Sequence, residues 1–297
     1  MPVDITATLA DCTHLLDDRD RLEAFFHTEG YLLLRGVFPT DLAAELCAQV
    51  IAGLEAQGAL RTGSDQNQIQ LPDADIDVNA LQQGIDLPLL WNNEALKDFA
   101  AFLLGGPTFT WRSVVFRTIA RGRDATRAVP HQDGYFSDVN HDFRTFWTPL
   151  APVTRETGGL AVVPRSHLGG MAATVLSESR MSNGGTFNPD KDDPTVQRND
   201  RFRTIAPELM NGEWATAGDL QPGDLIVQHP YLIHEGRPNE SDSGHLRLSM
   251  DFRVQPEGSP RAPASLFTVP QFRDHLISDE QGKWHIRAER DAGLDSG

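Results

Sequence analysis

The stretch FTWRSVVFRTIA, residues 109–120, is the first of five short apolar runs whose reading decides the fold. It is followed by TFWTPLAPV (145–153), GLAVV (159–163), DLIVQ (224–228) and LRLSMDFRV (246–254), separated by segments carrying Gly, Pro and Asp. Runs this short, bounded by turn formers, are strand-sized, and a series of them predicts an antiparallel sandwich or jelly roll. Residues 176–213 interrupt the series. They contain MSNGGTFNPDKDDPTVQRND, too polar for a core and too long for a simple turn, so they are expected to form a lid or an idle insertion.

Upstream of the strands the periodicity is helical. Arg19 to His27 reads as a helix, and Tyr31 to Val37 is an apolar run beginning after Gly30. Thr40 to Leu54 then brings Leu42, Leu46, Val50 and Leu54 to one face, with Thr40 as the expected N-cap after Pro39. Arg61 to Val78 is rich in Asp, Gln and Pro, a loop composition. Glu94 to Leu104 is a further helix, capped by Asn93 and stopped by Gly105-Gly106-Pro107. The fold class is therefore α+β with a mainly β core. A single domain is expected over 1–297, with a helical part of about 1–107 whose helices pack on one sheet, and a jelly-roll core of about 108–256.

Charge and composition exclude several kinds of partner. Lys and Arg number 26 against 42 Asp and Glu, a formal charge of −16 that repels phosphate backbones, and no local basic stripe offsets it. Nucleic acid is not an expected partner. No apolar run approaches the roughly 20 residues of a membrane span, and the N-terminus lacks a basic segment leading into an apolar one. The two cysteines, Cys12 and Cys47, have no metal-ligand spacing and suit a reducing compartment. A cytoplasmic protein with a small-molecule substrate is expected; nothing in the residue pattern sets an oligomeric state.

Ten histidines in so acidic a chain should produce His-x-Asp/Glu about once by chance, so the motif alone proves nothing. It occurs twice, as His27-Thr28-Glu29 and His131-Gln132-Asp133. Residues i and i+2 share a face in a strand and diverge in a helix. His27 ends a helical segment and is read as structural. His131 follows Pro130 in an extended stretch of the strand-rich half, so His131 and Asp133 could supply two members of a 2-His-1-carboxylate face that leaves positions on Fe(II) open. The third ligand is sought among His141, His167, His229, His234 and His245. Only His229 and His234 close an apolar run that follows a Gly-Asp turn, and five positions apart they should face opposite ways if Pro230 leaves the strand regular.

At these residues a resemblance emerges. HPYLIHEGRPNESDSGHLRLSMDFR (229–253) resembles the C-terminal signature of phytanoyl-CoA dioxygenase-like oxygenases, with His234, Gly236, Pro238-Asn239 and Arg247-Leu248-Ser249 in the family's order. FWTPLAPVTRETGGLAVVPRSH (146–167) resembles its Trp-bearing strand, turn and Pro-x-Ser-His element, and FFHTEGYLLLRGVF (25–38) its Gly-Tyr-hydrophobic opening. The resemblance implies a double-stranded β-helix of jelly-roll or cupin-like form. It also implies an Fe(II)- and 2-oxoglutarate-dependent dioxygenase that uses O2, with His131, Asp133 and His234 as iron ligands. Arg247 is implied as the anchor of the distal carboxylate of 2-oxoglutarate, a role that suits a permanently charged, bidentate guanidinium. Trp147 is a candidate for the co-substrate pocket or for the core. Arg253, on the face of Arg247 by period-two counting, is a candidate contact for substrate or co-substrate, or a solvent-facing residue. Two positions depart from the family pattern: Arg165 stands where glycine is common, and Gly236 replaces a frequent serine.

The implied activity is oxidation of a small metabolite, hydroxylation foremost, with release of succinate and CO2. An intact carboxylate at Asp133 argues against halogenation, which needs that coordination position for chloride. The net charge weighs against a polyanionic acyl-CoA, so a smaller neutral or cationic metabolite, an intermediate of specialised metabolism, is the expected substrate. The competing hypothesis is a non-catalytic jelly-roll module that binds a metal or small ligand; Arg247 speaks against it, because a purely structural site has no need for a carboxylate anchor beside an open metal.

Overall fold

Alternation along LRLSMDFRV explains the architecture, because the apolar set faces one way and the polar set the other. The computed structural model describes residues 4–60, 76, 80–81, 84–122, 128–136, 141–172, 174–180, 201–205, 212–259, 276–278 and 284–286. Its strands are β1 (Ile5–Thr8), β2 (Tyr31–Leu34), β3 (Thr108–Ile119), β4 (Arg144–Pro149), β5 (Leu160–Val162), β6 (Thr174–Arg180) and β7 (Arg201–Ile205), then β8 (Trp214–Thr216), β9 (Leu225–Gln228), β10 (His234–Gly236), β11 (Arg247–Pro256), β12 (Leu276–Ser278) and β13 (Trp284–Ile286). The helices are α1 (Arg19–Glu29), α2 (Thr40–Ala56), α3 (Pro88–Asn92) and α4 (Glu94–Leu104).

Two sheets form the jelly roll. One has the order β2-β9-β4-β11-β3 and is antiparallel throughout; the other has the order β1-β8-β5-β10, with only the β1–β8 pair parallel. On the five-stranded sheet, Leu32, Leu34, Phe146, Leu225, Val227, Leu248, Met250 and Phe252 pack in one core cluster with Leu42, Leu46, Val50 and Leu54 of α2 and Leu96, Ala100 and Leu103 of α4. Fully burying one such side chain stabilises the fold by about 1.5–3 kcal/mol. The opposite face contributes Tyr31, Leu33, Trp147 and Ile226 to a second cluster with Leu160, Val162 and Ala215 of the four-stranded sheet. Both faces of β2 are thus covered, and its four residues are all buried, which is why it reads as a continuous apolar run.

The helix boundaries follow their caps. Asp18 accepts from Arg21 N at the start of α1, and Asn93 accepts from Leu96 N at the start of α4. Gly30 ends α1 with φ 82°, and a Cβ there would lie 2.4 Å from His167 Nδ1, so only glycine allows this ring to close over the helix end. Thr40 is not the cap of α2. It is the first helical residue, Pro39 holds the cap position, and no side chain caps the helix, which relies on its packed face. The insertion is structured at its ends, where β6 pairs antiparallel with β7; the rest of the lid expectation for 176–213, and the loop expectation for 61–78 apart from Ile76, lie outside the described residues. Cys12 is buried and Cys47 half-buried, both as free thiols. Among the described residues no helix is long and apolar enough to cross a membrane.

Candidate active site

The polar face of β11 points between the sheets. Arg247, Ser249, Asp251 and Arg253 are all buried there, and Arg247, Asp251 and Arg253 line a cavity together with Arg117, Thr145, Trp147 and Gln228. His131, Asp133 and His234 line the same cavity. His234 opens β10, and His131 pairs with it as an isolated antiparallel bridge, its N–H donating to the His234 carbonyl at 2.9 Å and its carbonyl accepting from the His234 N–H at 3.0 Å. Asp133 begins a short 3-10 turn, Asp133–Phe136, that swings its carboxylate back between the rings.

The three side chains form one convergent group, with one ligating atom from each lying within 4.8 Å of the others. Asp133 Oδ1 stands 3.5 Å from His131 Nε2 and 3.7 Å from His234 Nε2, longer than an ordinary hydrogen bond, and accepts no hydrogen bond among the described residues. His131 Nδ1 lies 2.7 Å from the Val129 carbonyl and His234 Nδ1 2.9 Å from the Leu232 carbonyl. A carbonyl only accepts, so each Nδ1 carries the proton and each Nε2 turns a lone pair inward. Burial, with His131 adjacent, pushes His234 down to about 4, so it is neutral at pH 7. Two imidazoles and a carboxylate, each at most 5% exposed, fit a divalent cation such as Fe(II) with positions left open.

The second carboxylate oxygen is held by other elements. Asp133 Oδ2 accepts from Thr145 Oγ1 on β4 at 2.5 Å and from Arg253 Nη2 on β11 at 3.0 Å. Burial alone would raise the Asp133 carboxyl, but the Arg253 guanidinium and the neighbouring imidazoles hold it well below the usual carboxylate range. Arg253 Nη1 binds Asp251 Oδ1 at 2.6 Å, and Asp251 Oδ2 accepts from Arg117 Nε at 3.0 Å. Arg253, considered from sequence as a substrate or co-substrate contact, is thus engaged with two carboxylates. Arg247 is fully buried. Trp147 Nε1, Gln228 Oε1, Ser249 Oγ and Arg117 Nη1 are buried polar atoms with no hydrogen-bond partner among the described residues, and all but Ser249 belong to residues lining this cavity.

The remaining histidines go elsewhere. His27 is exposed and pairs with Glu23 one helical turn away at 3.0 Å. His229 lies against Phe26 and His167, because Pro230 to Leu232 form a turn, with Leu232 N–H donating to the His229 carbonyl, and the strand between His229 and His234 is not regular. Arg165 takes the place of the usual glycine with φ 66°, and its guanidinium pairs with Glu29. Thr145, Asp251, Arg117 and Gln228 were missed from sequence. Asp251 falls within the period-two count from Arg247 to Arg253 on β11, whereas Thr145 and Gln228 depend on strand register.

Fold and site together define a jelly-roll oxygenase. Residues 26–247 match the model of the family described as phytanoyl-CoA dioxygenase (PhyH), and the chain belongs to that family of Fe(II)- and 2-oxoglutarate-dependent oxygenases. Among curated relatives it is 32% identical over 275 residues to a 1-deoxypentalenic acid 11-beta-hydroxylase of Streptomyces arenae, covering 90% of this chain and 92% of the relative. Two solved structures share the fold. The epimerase SnoN, in complex with Fe3+, alpha ketoglutarate and nogalamycin RO, is 22% identical with a TM-score of 0.51, over 84% of this chain and 87% of that one. EctD from S. alaskensis, with 2-oxoglutarate and 5-hydroxyectoine, is 19% identical with a TM-score of 0.52, over 89% and 90%. Family membership decides between enzyme and non-catalytic binding module in favour of the enzyme.

Proposed function

We propose that His131 Nε2, Asp133 Oδ1 and His234 Nε2 hold Fe(II), that Arg247 grips the distal carboxylate of 2-oxoglutarate, and that residues 1–297 act as a single oxygenase domain in a reducing cytoplasm. The observation that carries this reading is the convergence of two inward Nε2 lone pairs and one carboxylate oxygen in the cavity that Arg247 also lines. When bound, Fe(II) supplies dioxygen activation coupled to decarboxylation of 2-oxoglutarate to succinate and carbon dioxide. The chain supplies position. Arg247 offers a charge-assisted, bidentate grip on the co-substrate, and Trp147 Nε1 is a further donor on a residue that lines the same cavity. Arg253 and Thr145 hold Asp133 in one orientation while keeping its Oδ1 directed at the metal position. The two sheets and the helices behind them exclude water from the polar face of β11.

The substrate reading is a small carboxylic acid that is hydroxylated at a C–H bond. Support comes from Arg117, whose Nη1 is buried beside the cavity without a hydrogen-bond partner among the described residues, and from the relatives' acidic substrate. This revises the neutral or cationic metabolite expected from net charge, since a local guanidinium outweighs distant charges screened beyond about 8 Å. Anaerobic addition of 2-oxoglutarate to the Fe(II) protein should produce a weak visible charge-transfer band. Succinate release should follow from small carboxylic acids and not from their methyl esters. Bound iron without the band would sink the oxygenase site, and equal turnover of acid and ester would sink the substrate class.

A further inference from the structure

Asp133 sits on a turn that a neighbouring loop grips from both sides. After it, Gly134 N–H donates to the Pro230 carbonyl at 2.8 Å, and the Gly134 carbonyl accepts from His141 Nε2–H at 3.0 Å. That proton assignment leaves His141 Nδ1 to accept from the Tyr231 hydroxyl at 2.7 Å. The Tyr231 ring also lies flush on Gly134, where an added Cβ would come within 2.9 Å of its Cδ1 and Cε1. Before Asp133, Gln132 Nε2 donates to the Tyr231 carbonyl at 2.5 Å. Tyr231 stands three residues before His234, so one short loop carries both a ligand and the fittings that hold the turn of another.

Resting on the metal-site reading above, we infer that Tyr231 and His141 are positioning residues: their hydroxyl-to-imidazole relay sets where Asp133 stands relative to His131 and His234, and so sets metal affinity. Neither side chain belongs to the convergent ligand group, and the family resemblance assigned neither a role. The backbone contacts of the loop survive when the relay is removed, so its loss should loosen the carboxylate without unfolding the turn. Partners that orient metal ligands typically change affinity 10- to 100-fold when removed.

The test uses the full chain and Co(II) as an air-stable spectroscopic probe. Tyr231→Phe, which deletes only the hydroxyl, should weaken Co(II) binding about tenfold and alter its visible absorption, while the metal-free melting temperature moves by no more than about 2 °C. His141→Asn should do the same, and the double variant should be no worse than either single change, because both break one relay. Wild-type affinity and spectrum in Tyr231→Phe would overturn the inference, as would an affinity loss that merely follows a fall in melting temperature, or losses that add. Asp133→Asn serves as the control. If it binds Co(II) like the wild type, the metal-site reading fails and takes the relay with it; if it does not, while Tyr231→Phe does, only the relay fails.

Discussion

Replacing Arg253 with methionine removes the guanidinium from Asp133 Oδ2 while keeping much of the side chain's volume. At 3.0 Å and an effective dielectric constant of about 20, the attraction lost is about 5.5 kcal/mol before desolvation is counted. The net effect is smaller for two reasons. Thr145 Oγ1 continues to donate to Oδ2 at 2.5 Å, and Asp251 retains Arg117 Nε at 3.0 Å, so neither carboxylate is left without a partner. Losses of this kind weaken metal binding 10- to 100-fold, or about 1.4–2.8 kcal/mol. The sign of the pH effect follows from burial. In the wild type, Arg253 keeps the buried Asp133 carboxyl well below its usual range, so protons do not compete for Oδ1 near neutrality. In Arg253→Met burial is less opposed, the carboxyl rises, and metal affinity should fall as pH is lowered, where the wild type stays flat. Arg253→Lys should rescue only part, because an ammonium cannot bridge Asp133 and Asp251 as the fork does. Anaerobic Fe(II) or Co(II) titration at several pH values is the assay. An unchanged dissociation constant in Arg253→Met, flat with pH, would refute the reasoning.

Arg247→Met should raise KM for 2-oxoglutarate at least about 30-fold, the loss of a buried charge-assisted contact, and leave the KM of the organic substrate nearly unchanged; steady-state succinate assays check the split, and Arg117→Met should give the converse. Asp133→Gly should reduce coupled hydroxylation to background, and wild-type turnover would remove Asp133 from the ligand set. Gly158→Ala should destabilise strongly, because φ is 74° and a Cβ would fall 2.1 Å from the Pro238 carbonyl oxygen; an unaltered denaturation midpoint would contradict the packing of this turn. Burial first, then the nearby His167, His27, Arg144 and His141, push His229 down to about 4. Its folded value lies below the unfolded one of about 6.5, so stability is lost as pH falls from 6.5 toward 4, and His229→Asn, which can still accept from Tyr231 N–H, should flatten part of that fall in melting temperature.

The sheet was legible where alternation was clean. In LRLSMDFRV the apolar residues face the helices and the polar ones the cavity, so period two identifies both layer and site face. The His131-Gln132-Asp133 motif was legible because an extended segment brings i and i+2 together, although the 3-10 turn at Asp133 does part of that work. The choice between His229 and His234 was not legible from spacing, since a turn at Pro230 resets the facing of everything after it; the family resemblance selected His234. Thr145, Gln132, Tyr231 and His141 stayed hidden for a related reason. Their roles arise from contacts across 7 to 99 residues of chain, and no local pattern encodes which hydroxyl, ring or amide will meet a given carboxylate or carbonyl. The two structural devices at Gly30 and Arg165 were visible only as residue types, because the close approach of His167 and the left-handed backbone of Arg165 belong to the assembled fold.

The way Asp133 is shared has a mechanical meaning. One of its oxygens is tied to β4 and β11 of the five-stranded sheet, and the other faces the imidazoles fastened at the edge of the four-stranded sheet. An iron ion seated there would act as a rivet through both layers, so the energy of holding the ion would also resist their separation. At a concentration one hundred times its dissociation constant the rivet adds about 2.7 kcal/mol against unfolding. Hydrogen exchange in β10 and β11 would then slow together on loading, and an enzyme stripped of iron would lose rigidity at the seam where its chemistry takes place.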